Sequence, residues 1–220
     1  MIRISQLKKK LSDDFTLEIE ELTIQNGERV ALIGVNGSGK STLLRLLAGL
    51  IKPDSGEITA SFSPETVCFQ PQAPFCFRRS VRENVLLAAA DQERCDRFLR
   101  ECCIAGLKDR KASSLSGGEK QRMYLARSLA ADPALFLADE PLSAVDLATG
   151  EALEELLRQE FDVPDKTLVF STHLPKQAFS IATKIILLDG GRISECGAPE
   201  ELRSPRSDFG KAFFSQWTWR

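Results

Sequence analysis

Gly34-Val35-Asn36-Gly37-Ser38-Gly39-Lys40-Ser41 fits the pattern G-x-x-x-x-G-K-[ST] and stands where an apolar run gives way to a helical one. Val30, Ala31, Leu32 and Ile33 lead in with the unbroken apolar character of a buried strand. Thr42, Leu43, Leu44, Leu46 and Leu47 lead out at helical spacing. A strand, a glycine-rich loop and a helix N-terminus together make a phosphate cradle. Glycines at 34, 37 and 39 allow backbone conformations that a Cβ forbids, so N–H groups of Gly34, Asn36, Gly37, Ser38, Gly39 and Thr42 can face phosphate oxygens. The helix N-terminus adds partial positive charge. Lys40 can reach the β- and γ-phosphates of a nucleoside triphosphate, and the Ser41 hydroxyl can ligate the Mg²⁺ that bridges them.

Upstream of the loop, apolar residues alternate with polar ones at Ile2/Ile4, Phe15/Leu17/Ile19 and Leu22/Ile24, the period of half-buried antiparallel strands. Asn26-Gly27 is a turn signal. Downstream, Gly49 ends the first helix, Pro53-Asp54-Ser55-Gly56 turns the chain, and residues 57–62 return as a strand. Residues 67–69 form another strand closing on Gln70-Pro71-Gln72. From Ser80 to about Arg110 the pattern is helical and charged without strand signals, as in an inserted helical lobe. A helix is expected over 119–130, strands over 134–138, 167–170, 184–188 and 192–195, and helices over 147–161 and 177–182. Strands alternating with helices make an α/β fold with a mainly parallel sheet.

The apolar run 134–138 ends in Asp139-Glu140. In such sheets ligands collect at the carboxyl ends of strands, so Asp139 would arrive beside the phosphate loop and enter the Mg²⁺ shell. Glu140, offset by one residue, could polarise an attacking water as general base.

Leu115-Ser116-Gly117-Gly118-Glu119 precedes Lys120-Gln121-Arg122 and a helix. A Ser hydroxyl and glycine N–H groups at a helix start form a second anion-binding device. With this stretch the chain resembles the ATP-binding cassette (ABC) ATPases, and the resemblance covers essentially its whole length. It implies a RecA-like phosphate-loop NTPase core with an N-terminal antiparallel β subdomain and an inserted α-helical subdomain. The core would take residues 1–72 and 119–220 of a single domain, and the lobe 73–118. Two cassettes would pair head to tail, so that Ser116, Gly117 and Gly118 of one subunit cover ATP on the phosphate loop of the other.

Further roles follow from the resemblance position by position. Gln72 matches the glutamine that senses Mg²⁺ and the attacking water, with Gln70 as competing candidate. Asp146 in Ser143-Ala144-Val145-Asp146 would lie across the dimer interface. His173, the only histidine, matches the residue that contacts the γ-phosphate. Where the family stacks adenine on an aromatic residue this chain offers Leu11, with Phe15 a few residues on; Phe15 is equally readable as a core residue.

The cassette would power a transporter whose permease is a separate integral-membrane polypeptide, with a second ATPase subunit and a substrate-binding protein as further partners. No apolar run reaches the roughly 18 residues of a membrane span, and the start of the chain lacks the apolar core of a signal peptide. The expectation is a cytoplasmic protein, peripheral on the inner face of the membrane. The stretch Phe75-Cys76-Phe77-Arg78-Arg79-Ser80-Val81 resembles importer ATPases, some of them for oxyanions such as tungstate. The competing class is a non-transport ABC ATPase acting on nucleic acid or ribosomes. A net charge of −2, from 29 basic and 31 acidic residues, argues against bulk attraction to nucleic acid. Six cysteines without C-x-x-C spacing are expected to be reduced thiols. The aromatic residues Phe213, Phe214, Trp217 and Trp219 are expected to dock on the core.

Overall fold

The computed structural model describes residues 1–73 and 75–217. The alternating start of the chain forms two nine-residue strands, β1 (Ile2–Lys10) and β2 (Thr16–Ile24), paired antiparallel with Ile4 opposite Leu22 and Leu7 opposite Ile19. A third strand, β4 (Ser55–Ala60), adds to β1, giving a three-stranded sheet in the order β2-β1-β4. This strand begins two residues earlier than the turn signal implies. Its register against β1 breaks between Ser5 and Lys8, where Gly56 comes so close that a Cβ would lie 2.2 Å from the Gln6 carbonyl oxygen. That partnership is long-range, so local turn chemistry does not place it.

The main sheet has six strands in the order β5-β6-β7-β3-β8-β9, where β3 is Arg29–Ile33, β5 Val67–Gln70, β6 Leu135–Asp139, β7 Thr167–Ser171, β8 Lys184–Asp189 and β9 Arg192–Gly197. Five run parallel, and only β9 is antiparallel to its neighbour. The central strands are buried on both faces, which accounts for their unbroken apolar character. Successive residues serve opposite faces. Val30, Leu32, Leu137, Val169 and Ile186 pack towards α1 (Lys40–Leu47) and the antiparallel sheet. Ala31, Ile33, Phe136, Phe170 and Ile185 pack towards α4 (Gly117–Ala130), α5 (Leu147–Glu160) and α6 (Pro175–Ile181).

The charged helical stretch forms α2 (Val81–Leu86) and α3 (Gln92–Glu101), both packed on α4. Val85, Phe98 and Cys102 of this lobe share one apolar cluster with Phe136 and Phe170 of the main sheet, so lobe and core have a continuous interior. After α7 (Pro199–Leu202), α8 (Asp208–Ser215) docks Phe213 and Phe214 into the same cluster. Trp217 is half-buried, and Trp219 lies outside the described residues.

Candidate functional site

Four loops leave the carboxyl ends of four adjacent strands, β5, β6, β7 and β3, and they carry Gln72, Glu140, His173 and the phosphate loop in that order. The sheet therefore brings together residues separated by more than 130 positions in the sequence. A cleft of about 530 Å³ is lined by Leu11, Phe15, Asn36, Gly37, Gly39, Lys40, Ser41, Thr42, Gln72 and Glu140, and His173 stands outside that lining with its Nδ1 3.5 Å from Glu140 Oε2.

Gly34 has a φ of 144°, and a Cβ there would stand 2.2 Å from the Leu188 carbonyl oxygen, so no other residue fits between loop and β8. Gly39, at φ 105°, opens α1 without any side-chain cap. Lys40 is buried, with its Nζ donating to the carbonyls of Gly34 at 2.8 Å and Val35 at 2.9 Å. Burial pulls its pKa below the ordinary lysine value, and the nearby carboxylates of Glu140 and Asp139 pull it partly back.

Asp139 ends β6 almost fully buried, its Oδ1 accepting from Ser41 Oγ at 3.0 Å and from Ser171 Oγ at 2.6 Å. The same Ser171 hydroxyl accepts from Glu140 N at 2.9 Å. Glu140 has a φ of 50°, a left-handed conformation unusual outside glycine, asparagine and aspartate. Gln121 of α4 supports that turn by donating to the carbonyls of Glu140 and Pro141. The Glu140 carboxylate meets two side chains at one oxygen: Gln72 Nε2 donates to Oε2 at 3.1 Å, and His173 Nδ1 lies 3.5 Å from it.

The two glutamines fare differently. Gln72 is exposed in the cleft, whereas Gln70 is fully buried and neither polar atom of its side chain has a hydrogen-bond partner. Leu11 and Phe15 both line the cleft, and Phe15 also packs on the apolar cluster beneath it.

Ser116, Gly117 and Gly118 do not line this cleft. Ser116 caps α4, its Oγ accepting from Glu119 N while Glu119 Oε2 accepts from Ser116 N. The cap starts the helix at Gly117, two residues before the expected Glu119, because paired caps outweigh the poor helix propensity of glycine. Ser116 and Gly117 are solvent-exposed, while a Cβ at Gly118 would come within 2.5 Å of the Ala144 carbonyl oxygen. Asp146 caps α5 by accepting from Thr149 N at 3.0 Å.

Sequence reasoning missed Ser171 and Gln121 as parts of the site. Ser171 carries one signal, a polar residue closing a buried parallel strand; Gln121 sits on α4 with no local mark of its partner.

A sequence profile described as ABC transporter matches residues 17–143. The sulfate/thiosulfate import ATP-binding protein CysA of Synechococcus elongatus is 35% identical over 230 residues, covering 96% of this chain and 67% of that protein. The chain thus spans about two thirds of the length of that relative. Among solved structures, the ATP-binding cassette MJ0796, a dimer in a post-hydrolysis state bound to ADP and Pi, superposes with a TM-score of 0.79 at 26% identity, covering 90% of this chain and 99% of that one. CbiO1 from Clostridium perfringens, part of the ABC transporter complex cbiONQ, gives a TM-score of 0.77 at 25% identity over 92% of this chain and 90% of that one. With the profile spanning more than half of its residues and the cassette fold present throughout, the chain belongs to the ABC transporter family, as an ATP-binding subunit.

Proposed function

We propose that this ATPase subunit hydrolyses ATP at Glu140 and uses the cycle to drive import of an oxyanion through a separate membrane permease. The convergence of Gln72 and His173 on one oxygen of Glu140, beside the buried Lys40, is the observation that carries the chemistry. Water attacks the γ-phosphate, with Glu140 orienting it and accepting its proton. Lys40 and the loop N–H groups neutralise charge developing on the phosphoryl oxygens, and His173 contacts the γ-phosphate. Ser41 Oγ, an Asp139 carboxylate oxygen and the Gln72 amide oxygen are hard oxygen donors of the kind Mg²⁺ selects, and the first two already lie 3.0 Å apart. When bound there, Mg²⁺ supplies charge neutralisation between the β- and γ-phosphates. Phe15 is the only ring among the cleft-lining residues and is assigned to the adenine.

Two copies pair head to tail, residues 116–118 and Asp146 of each closing over the nucleotide of the other. Phe75 and Phe77, exposed beside Arg78 and Arg79 on the lobe between 73 and 118, form the surface offered to the permease. The chain then works peripherally at the cytoplasmic face of the membrane; among the described residues no helix is long and apolar enough to cross it. The solute class is drawn from relatives named for sulfate and thiosulfate import. No observation favours action on nucleic acid or ribosomes.

The test is Glu140→Gln. Steady-state turnover should fall by about 10² or more, the scale of a lost general base, while ATP accumulates unhydrolysed in a stable dimer. Undiminished turnover would remove Glu140 from the mechanism. Purification from native membranes should recover a polytopic partner, and ATP-dependent uptake of radiolabelled sulfate or tungstate by that complex identifies the solute. Recovery with ribosomes alone would sink the transport assignment.

A further inference from the structure

Residues 75–78, just beyond Gln72, form neither strand nor helix, so side chains from two helices hold them. Asn84 of α2, fully buried, works from one side. Its Oδ1 accepts from Phe77 N at 2.9 Å, and its Nδ2 donates to the carbonyls of Phe77 at 3.2 Å and Ser80 at 2.9 Å. Arg127 of α4 works from the other. Its Nη2 donates to the Phe75 carbonyl at 2.9 Å, and its Nη1 reaches Asn84 Oδ1 at 3.5 Å. The same guanidinium lies 4.3 Å from the Tyr124 ring centroid and 5.3 Å from that of Phe77. Arg127 is only 9% exposed, yet Phe75, held through its carbonyl, and Phe77, held through its ring, are 60% and 42% exposed and meet edge to face.

The bonds that hold Arg127 are those of a planar fork: donors at its edge to a carbonyl and an amide, and a π-face against two rings. Lysine cannot make both kinds of contact at once. Arg127 is therefore a joint between an irregular, solvent-facing loop and a rigid helix. The N-cap of that helix, Ser116, lies eleven residues and about 16 Å away along one uninterrupted helix. Asn84 holds the loop within the lobe; among the hydrogen bonds of the described residues, the Arg127 bond to the Phe75 carbonyl is the one that ties it to α4.

We propose that Arg127 is a positioning residue that makes the exposed Phe75–Phe77 loop follow α4, so that engagement of ATP by residues 116–118 is felt at the permease-facing surface. This rests on the assignment of residues 116–118 to a second subunit's ATP. Cys76, a half-buried free thiol between the two phenylalanines, is a built-in reporter of the loop.

The experiment compares Glu140→Gln with Glu140→Gln/Arg127→Met, with and without MgATP. N-ethylmaleimide labelling of Cys76 is followed by peptide mass spectrometry, and dimer formation by gel filtration. Cys196 on β9 serves as internal control. With Arg127 present, ATP should change the Cys76 labelling rate by about fivefold or more, the lower range of ordinary site-to-site coupling. In the Arg127→Met double variant the dimer should still form, while the ATP-dependent change falls to within about twofold. A purely structural role would alter both rates alike and leave their ratio intact, which overturns the proposal. An ATP-insensitive Cys76 in a Glu140→Gln dimer overturns it too. Failure of Glu140→Gln to dimerise with ATP shows first in gel filtration and defeats the composite-site assignment together with this one. If Arg127→Met does not fold, Arg127→Lys, which keeps the charge but not the fork, gives the same readout.

Discussion

Lys40 is the buried cation of the phosphate loop, and its burial bears on the fold as well as on the proposed site. Its ammonium is held by the carbonyls of Gly34 and Val35, and burial lowers its pKa, with Glu140 and Asp139 opposing that shift. A lysine whose folded pKa lies below its unfolded value binds protons less readily when folded. Its charge therefore penalises the folded state at low pH, and the penalty is relieved as pH rises through the folded pKa towards the ordinary lysine value. Lys40→Met should consequently lose ATP binding without a matching loss of nucleotide-free stability. At ATP near 100 times its dissociation constant, the wild type should gain about 2.7 kcal/mol from ligand, and the variant almost none. Without nucleotide, the wild type should gain stability relative to the variant as pH is raised from about 7 to about 10. Thermal melts across that range check both points; a gap that narrows in the opposite direction would show that Lys40 is not destabilised by burial.

At the scale of elements, α4 ties together the phosphate-binding core and the helical lobe, and both of its ends are fixed by side chains. Its N-terminus has the Ser116–Glu119 box. Near its C-terminus, Arg94 of α3 donates to the carbonyls of Leu129 and Ala130 and pairs with Asp132. Arg94→Ala should cost about 1.5–3 kcal/mol in urea unfolding, the range for hydrogen bonds to a charged donor, with ATP turnover per folded molecule unchanged. A fall in turnover without loss of stability would mean that Arg94 acts on the site. The core strands of this architecture were legible in the sequence because parallel strands buried on both faces need unbroken apolar runs, as at Val30 to Ile33 and Leu135 to Ala138. The phosphate loop was legible for a related reason: its glycines, Lys40 and Ser41 act within eight consecutive positions. What escaped depends on partners far along the chain. Gly56 belongs to a bulge against Gln6, Ser171 holds Asp139 from the next strand, and Gln121 steadies Glu140 from a helix. Spacing favoured Gln72 over Gln70, but it gave no sign that Gln70 is fully buried while Gln72 is exposed in the cleft. Even the start of α4 was misplaced by two residues, since a cap decides it rather than propensity.

At the scale of the whole molecule, the phosphate loop and residues 116–118 of one chain do not share a cleft, so the composite site proposed above would have to be built from two chains. That geometry has a consequence for pairs of inactive variants. Gly117 faces open space on its own chain, with nothing within 4 Å of a Cβ built there, and it occupies the first turn of a helix, where an acidic side chain is favourable. Gly117→Asp should therefore fold normally while placing a negative charge where the other chain's ATP must approach. Alone, Gly117→Asp and Lys40→Met should each be inactive, because every site in either homodimer carries the defect. Mixed one to one, half of the dimers are hybrids, and each hybrid has one site with both substitutions and one with neither. If sites fire independently, the mixture should recover about a quarter of wild-type turnover, with both copies contributing to the intact site. Recovery measured against mixing ratio should peak at equal amounts. A mixture as inactive as its parts would mean either that both sites must fire together or that no composite site exists, and ATP trapping decides between these. A hybrid carrying Glu140→Gln on the Gly117→Asp chain retains one closed nucleotide in the first case and none in the second.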